Sequence, residues 1–476
     1  MTWPGSPGAA RGGPNLPWGD SVALVVRAAL LSGTSWHVGP HPADRLDSGN
    51  VLGPLSGGTV DAAGRLWVDL ACDVMDLDVV DSSSTGVGVV SRDEAATLTL
   101  TLYDPTRIYD PANTGGPYWL HGKSRLTAGT PIEVTAEVLN DAGTAVVSFP
   151  LFSGLVDTWS SEVEPVFADR RATITASGAI KQLTSRDFGQ DDVPVGLGDT
   201  FKQRVDRILT RFGWVGTSTQ YGATSTARMA ATDFQGSAWE NLIDAADAEV
   251  GFAHVLPSGN VDLFTREYLL ALPLPAPALV LGCWEVSGDG VAAYDVATEL
   301  TLAALDEQLR NAVYANREST GTGDTPVVQV ARSSTSIGAH GGVEAVYRKS
   351  GLTLVDDATV NAWAQWVVAL YAYPQPTART VALVPQLFRG PDAPLWRSVL
   401  GMRVLRDVLR TVWDPVGSAP LDVSSWVMGV RHTISPTQWV VRFDLMAASR
   451  SSAKVWTIGP HPNDKLNDAN VIGWAA

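Results

Sequence analysis

The chain has 476 residues, of which 45% are hydrophobic and 18% charged, with a formal net charge of −16. That length exceeds one ordinary core, so about two to four domains are expected, and the composition is that of a folded chain rather than a disordered one. The acidic balance argues against wrapping nucleic acid, because phosphate binding runs on Lys and Arg.

Lys is scarce beside Arg, and the only cysteines are Cys72 and Cys283, so neither a disulfide framework nor a CxxC metal signature is present. The apolar run at 21–31 contains Arg27 and is too short to span a bilayer. With no positively charged leader before it, neither an export signal nor stable membrane insertion is expected.

In chain order, residues 1–19 are rich in Pro and Gly and read as an extended arm. The β-branched run at 21–30 reads as a strand. An 18-residue segment beginning at Trp36 follows, and it recurs at Trp456 with a constant offset of 420, no gap and 10 identities. Its Gly-Pro-His-Pro centre cannot be helical, since each proline fixes φ and removes a donor. We read both copies as extended straps. Their candidate partner-docking residues are Trp36, Pro40, His41, Pro42, Leu46 and Val51 in the first, and Trp456, Pro460, His461, Pro462, Leu466 and Val471 in the second. Two copies are too few for a solenoid and point instead to one peptide used at two equivalent places. The two straps should have similar backbones and similar surroundings.

From Leu66 to Asp187 strand follows strand. Residues 98–102 and 132–138 alternate with period two, and 146–152, 154–159 and 172–176 continue the series, which predicts a barrel or sandwich. The period then becomes helical. Phe201, Val205, Ile208, Leu209 and Phe212 share a stripe that Gly213 ends. A second helix opens on the capping box Ser237/Glu240, and a hairpin turns at Pro257-Ser258-Gly259-Asn260. Residues 269–281 read as a linker and 321–342 as a loop. A third helix starts at Asp356 or Asp357 and stops before Pro374. Strands return from Thr380 to Ala447.

The fold class expected is mainly β with an α/β insertion: two β domains, each a barrel or sandwich, flanking a small helix-helix-hairpin module, with extended terminal arms. The boundaries are 1–60 for arm, strand and first strap, 61–195 for the first β-barrel domain, and 196–275 for the module. Residues 276–450 hold linker, helix and second β-barrel domain, and 451–476 the second strap.

Catalytic signatures are lacking. Gly116 to Ser124 resembles a phosphate loop but has five residues between its glycines, where the motif needs four, and sits between strands. HExxH and GxSxG are absent, and Gly19-Asp20-Ser21 lacks a lipase-type partner. Asp76, Asp78 and Asp81 lack EF-hand spacing and read as an exposed acidic strand edge. His41 and His461 read as contact or turn residues. The 17 tryptophans could bind sugars but suit cores and interfaces better. No cofactor, metal or catalytic residue is assigned.

The order of several short runs carries a resemblance. They are Trp67–Val74, Ala95–Leu102, Tyr109–Asn113, Leu126–Val134 and Phe152–Asp157, then Ile208–Trp214, Ser237–Gly251 with its hairpin to Arg266, Val360–Pro374 and Val427–His432. This order resembles minor tail proteins, of the baseplate-hub type, of long-tailed siphophages infecting actinobacteria, over about residues 20–474. Residues 1–19 and the straps have no counterpart in that pattern. The resemblance implies a non-enzymatic virion protein at the tail tip, assembled in the host cytoplasm. It implies two tube-like β-barrel domains per chain flanking the module, and a homotrimer whose six barrels match a hexameric tail tube, with the two straps related by about 60° in the ring. The implied partners are a distal tail protein or tube-protein ring, the tape measure protein and other tail-tip or fibre proteins, with DNA only in transit through the lumen. Residues 61–111 carry ten Asp/Glu against three Lys/Arg, and such a wall would repel DNA and let it slide. The alternatives are a tail-associated cell-wall glycan-binding protein or a cell-wall hydrolase.

Overall fold

The structure, a computed structural model, describes residues 22–32, 59–60, 65–84, 92–120, 122–139, 145–164, 169–185, 187–189, 194–223, 227–269, 274–282, 297–303, 309–319, 324–373, 377–385, 393–413 and 421–448. The first set of strands is β1 (Val22–Ser32), β2 (Val74–Ser84), β3 (Thr97–Tyr103), β4 (Pro131–Leu139), β5 (Ala145–Glu164) and β6 (Asp169–Gly178). Alternation builds them. In β3, Leu98, Leu100 and Leu102 are buried, and in β4 so are Ile132, Val134, Ala136 and Val138, with the residues between facing outward. The stretches 146–152 and 154–159 form one strand, β5. Its register shifts between Ala145 and Val147, between Pro150 and Phe152, and again between Val156 and Thr158. Pro150 sits at the second shift, the kind of position where a strand tolerates proline.

Next come α1 (Phe201–Phe212), β7 (Ser218–Tyr221), α2 (Ala238–Glu249), β8 (Phe252–Val255) and β9 (Val261–Phe264). Thr200 with Gln203 and Ser237 with Glu240 cap the two helices reciprocally, and Gly213 ends α1 at φ 77°. Ser237→Ala is expected to cost about 1 kcal/mol of unfolding stability, read in a urea titration of the full chain.

The second set is β10 (Leu279–Gly282) and β11 (Ala297–Ala303), then, after an insertion, β15–β18. The insertion holds β12 (Ala312–Arg317), β13 (Gln329–Arg332), β14 (Val346–Leu352) and α3 (Asp357–Tyr371), capped by Asp356. After it come β15 (Thr377–Leu383), α4 (Ala393–Gly401), β16 (Val408–Trp413), β17 (Leu421–Ile434) and β18 (Trp439–Ala447). Three features depart from the sequence reading. The end of the linker is a buried strand, β10, parallel to β16. The polar stretch 321–342 contains β13 and a helical turn, Ser334–Ala339, whose Ser336 is buried and bonded to the Ala372 carbonyl. The third is α4, which carries Pro394 in its first turn, where the missing donor costs nothing.

The chain is mainly β, with one large, mostly antiparallel sheet. Its strands repeat an order. One half runs β2-β3-β6-β5-β4-β1 and the other β11-β15-β18-β17-β16-β10, so both place their six strands, numbered along the chain, in the order 2-3-6-5-4-1. The register irregularities recur too. Between the second and third strands, a shift follows Val74 opposite Leu102 in one half and Ala297 opposite Leu383 in the other, while a further shift between Thr301 and Leu302 occurs in the second half's pairing and not in the first's. Between the fifth and sixth, the shift lies between Val156 and Thr158, and between Val427 and Gly429. The fourth strand's pairing stops just before that shift in both, at Leu155 opposite Pro131 and at Trp426 opposite Val408. Bulges are placed features rather than defects, and their coincidence marks the halves as two copies of one unit. The halves differ at the first strand, which is antiparallel in one (β1 to β4) and parallel in the other (β10 to β16).

Among the described residues the sheet is open. Its order starts at β11 and ends beyond β1 on the short strands Arg65–Asp69 and Thr59–Val60. One core runs beneath both halves and takes in Leu395, Trp396, Val399 and Leu400 of α4. A second core unites α1, α2, β8 and β9 with β12–β14 and α3. The described residues between 309 and 373, which the sequence reading groups with the second β domain, thus pack with the module. Among the described residues no helix is long and apolar enough to cross a membrane.

Candidate assembly site: the joint between the sheet halves

The halves meet along β2 and β17, which pair antiparallel from Gly429 opposite Ser82 to Ile434 opposite Leu77. The inward side chains Leu77, Val79, Val430 and Ile434 are buried. On the outer face Asp78 accepts two bonds from Arg431, at 2.9 and 2.8 Å, and one from the Thr433 hydroxyl at 2.8 Å. That carboxylate holds the Arg431 pKa above its ordinary value. β2 is therefore an interior strand, paired with β3 and β17, and the expected exposed acidic edge is corrected: Asp78 is spent on the joint. Asp78→Ala is expected to cost about 0.5–1 kcal/mol, the range for a solvent-facing ion pair, in the same urea titration.

At the other end of this ladder the module docks. Asp81 Oδ2 lies 3.7 Å from His254 Nε2 on β8, and His254 sits opposite Asp262 on β9. Both are buried. Burial pushes the Asp262 carboxyl up, opposed by His254, Arg406 and Arg403 and by a hydrogen bond from the Tyr221 hydroxyl. From the second half, Arg403 and Asp407 close the cluster, the Arg403 amide donating to Asp407 Oδ2 at 2.7 Å. Burial lowers the Arg403 pKa and raises that of Asp407. Tyr268 donates to the Arg406 carbonyl at 3.2 Å and packs on Trp426, ring centres 5.3 Å apart. First half, second half and module are thus held at one polar joint, with His254 and Asp262 buried and Asp81, Arg403 and Asp407 half-buried around them. Charges paired in one geometry fix three units against one another.

The sequence reading missed this joint. A signal was available, because His254 and Asp262 each interrupt a short apolar strand at positions that a hairpin places side by side. The twelve strap residues, Trp36 to Val51 and Trp456 to Val471, lie outside the described residues. So does Cys283; Cys72 is exposed as a residue, and partial desolvation of its thiol, then the nearby Asp69 and Asp73 carboxylates, raise its pKa.

The phosphate-loop-like stretch is a pinned structural loop. Tyr118 is buried against Tyr109 with ring centres 6.1 Å apart. The Tyr109 hydroxyl donates to Asp73 at 2.6 Å, and Trp159 Nε1 donates to the Tyr109 carbonyl at 2.9 Å. Burial pushes the Tyr118 phenol up to about 12. Among the described residues no three His, Cys, Asp or Glu are grouped to hold a metal ion. The large apolar side chains exposed there are Leu197 and valines, while Trp363, Trp426 and Trp439 are fully buried. These three tryptophans serve packing.

No protein-family model matches the chain, and no curated protein does. Solved structures do. A tail protein from Neisseria meningitidis MC58 superposes with a TM-score of 0.52 at 10% identity, over 89% of this chain and 96% of that one. The 43 kDa tail protein of prophage MuSo2 from Shewanella oneidensis gives 0.47 at 12% identity, over 80% and 94%. A prophage tail protein from Listeria monocytogenes EGD-e gives 0.42 at 11%, over 79% and 90%. The first of these establishes a shared fold.

Proposed function

We propose that this chain is a structural protein of a phage tail: a trimeric baseplate hub at the tail tip of a siphophage of actinobacteria, joining the hexameric tail tube to the distal tip. The observation that carries the reading is the repeated six-strand unit with its repeated bulges. Two like units per chain turn three chains into six, the number a six-fold tube demands of a collar. The fold likeness to a Neisseria tail protein and the order of short sequence runs support it. On this reading the open sheet is one third of a closed wall, and the tube-like barrels are completed between copies, which leaves no free edge. The acidic 61–111 stretch would face DNA in transit. The distal tail protein or tube ring, the tape measure protein and the other tip or fibre proteins are its partners, and the straps clamp those neighbours.

Gold-labelled antibody against the chain should mark one end of each tail, at the tip. Label spread along the tube, or absent from particles, contradicts the reading. Digestion of host cell wall by the purified chain, in a zymogram, would favour the hydrolase alternative instead.

A further inference from the structure

The joint inside the chain shows which edges should meet between chains. β17 has two partners in succession along one edge: β16 up to Trp426, then, past the bulge, β2 from Gly429 to Ile434. β5 is its counterpart in the other half. It pairs with β4 up to Leu155, then passes the same bulge. From Thr158 to Glu164 it pairs with β6 alone among the described residues. The counterpart of β2 is β11, which pairs with β15 and ends the sheet. One half thus leaves open the segment that β17 uses, and the other leaves open the strand that β2 represents.

We infer that Thr158–Glu164 of one copy pairs antiparallel with β11 of a second copy, in the register of the β2–β17 joint. This deepens the hub reading and rests on it. Aligning the halves at their bulges places Val163 opposite Leu300, Glu162 opposite Thr301, Ser161 opposite Leu302 and Ser160 opposite Ala303. The chemistry follows the template at two successive pairs, while Ser160 stands where Arg431 does and brings no ion pair. Ile434 opposite Leu77 becomes Val163 opposite Leu300, apolar for apolar. Thr433 opposite Asp78, a hydroxyl bonded to a carboxylate at 2.8 Å, becomes Glu162 opposite Thr301, the same two groups with strands exchanged. Glu162 and Thr301 are both exposed in the single chain. A register slip of one residue would turn every side chain to the wrong face, so agreement at successive pairs is a demanding coincidence. The contact is heterologous: one edge of each copy meets the other edge of the next, which yields a ring when the rotation closes.

The test uses the full chain with Cys72→Ser and Cys283→Ser as background. Facing residues in antiparallel strands are about 4.5–5.5 Å apart at Cα, within disulfide reach. With Glu162→Cys and Thr301→Cys in the same chain, oxidation should convert most monomer to covalent dimers and trimers. Mixing chains that carry one substitution each should give covalent dimers and no trimers, because each copy then offers a single link. Ser148→Cys with Thr301→Cys, equally exposed but away from the proposed register, should stay monomeric on a denaturing gel. Three copies by native mass with no link at 162/301 overturns the edge pairing and leaves the hub reading standing. A chain that is monomeric both in solution and in assembled particles overturns both.

Discussion

Trp439→Ala is expected to lower the unfolding free energy by about 3–5 kcal/mol, the range for deleting a buried aromatic side chain. Trp439 opens β18, is wholly buried, and packs on Trp396 of α4 with ring centres 5.1 Å apart. Its indole Nε1 donates to His432 Nδ1 at 3.3 Å. Removing the ring therefore takes the floor from under α4 and leaves a buried imidazole nitrogen without its donor. Trp439→Phe should recover most of the packing while still losing about 1–3 kcal/mol for the orphaned acceptor. Urea midpoints of the two variants separate these contributions. A loss below about 1 kcal/mol for the alanine variant would mean that the sheet core is not closed at this point.

The second large effect is on pH. His432 faces Val79 across the joint and is buried, with Arg403 nearby; burial first, then that guanidinium, lowers its pKa to about 4. An unfolded histidine titrates near 6.5. Between those values the unfolded chain binds a proton that the folded chain refuses, so stability is full above about pH 6.5 and falls as pH drops toward about 4. The loss is on the order of 3 kcal/mol at one unit per 1.36 kcal/mol. His432→Gln keeps an acceptor for Trp439 but cannot protonate. Its stability should fall less than that of the parent chain between pH 7 and pH 4.5, when both are measured by urea titration. Equal acid loss in the two proteins would assign acid sensitivity to other groups.

The sequence made local structure legible where one physical signal dominated. Period-two alternation found β3 and β4, and the capping box at Ser237 and the stop at Gly213 marked helix ends. It failed where two signals conflicted. In β5 the sequence reading carries a strand through Pro150, which the register shift beside it makes possible, but breaks it at Ser153, where the strand in fact continues. Gly154 in the same strand has no side chain to show a pattern, and a Cβ there would lie 2.2 Å from the Ser177 carbonyl oxygen, a close approach visible only in three dimensions. α4 was hidden by Pro394, and residues 329–339 by polar side chains that are bonded rather than solvated.

The duplication was legible in the wrong place. The straps at 36–53 and 456–473 announce it in sequence, whereas the sheet halves share almost no readable motif and announce it only through strand order and bulge position. Backbone register is fixed by hydrogen bonding and twist, which many side-chain sets satisfy, so it outlasts residue identity. The joint at His254, Asp262, Arg403 and Asp407 was illegible because its members come from the module and from the turn after α4, about 150 residues apart, and only packing unites them.

The central claim is that two repeated units per chain make a six-unit collar from three chains. Reconstruction of the assembled tail tip by electron cryomicroscopy, with no symmetry imposed, tests it most directly. The account expects three copies around the axis, six sheet halves at near-equal spacing, and one continuous wall in which β11 of each copy abuts β5 of the next. A single copy, six copies, or three copies whose sheets do not touch would contradict it.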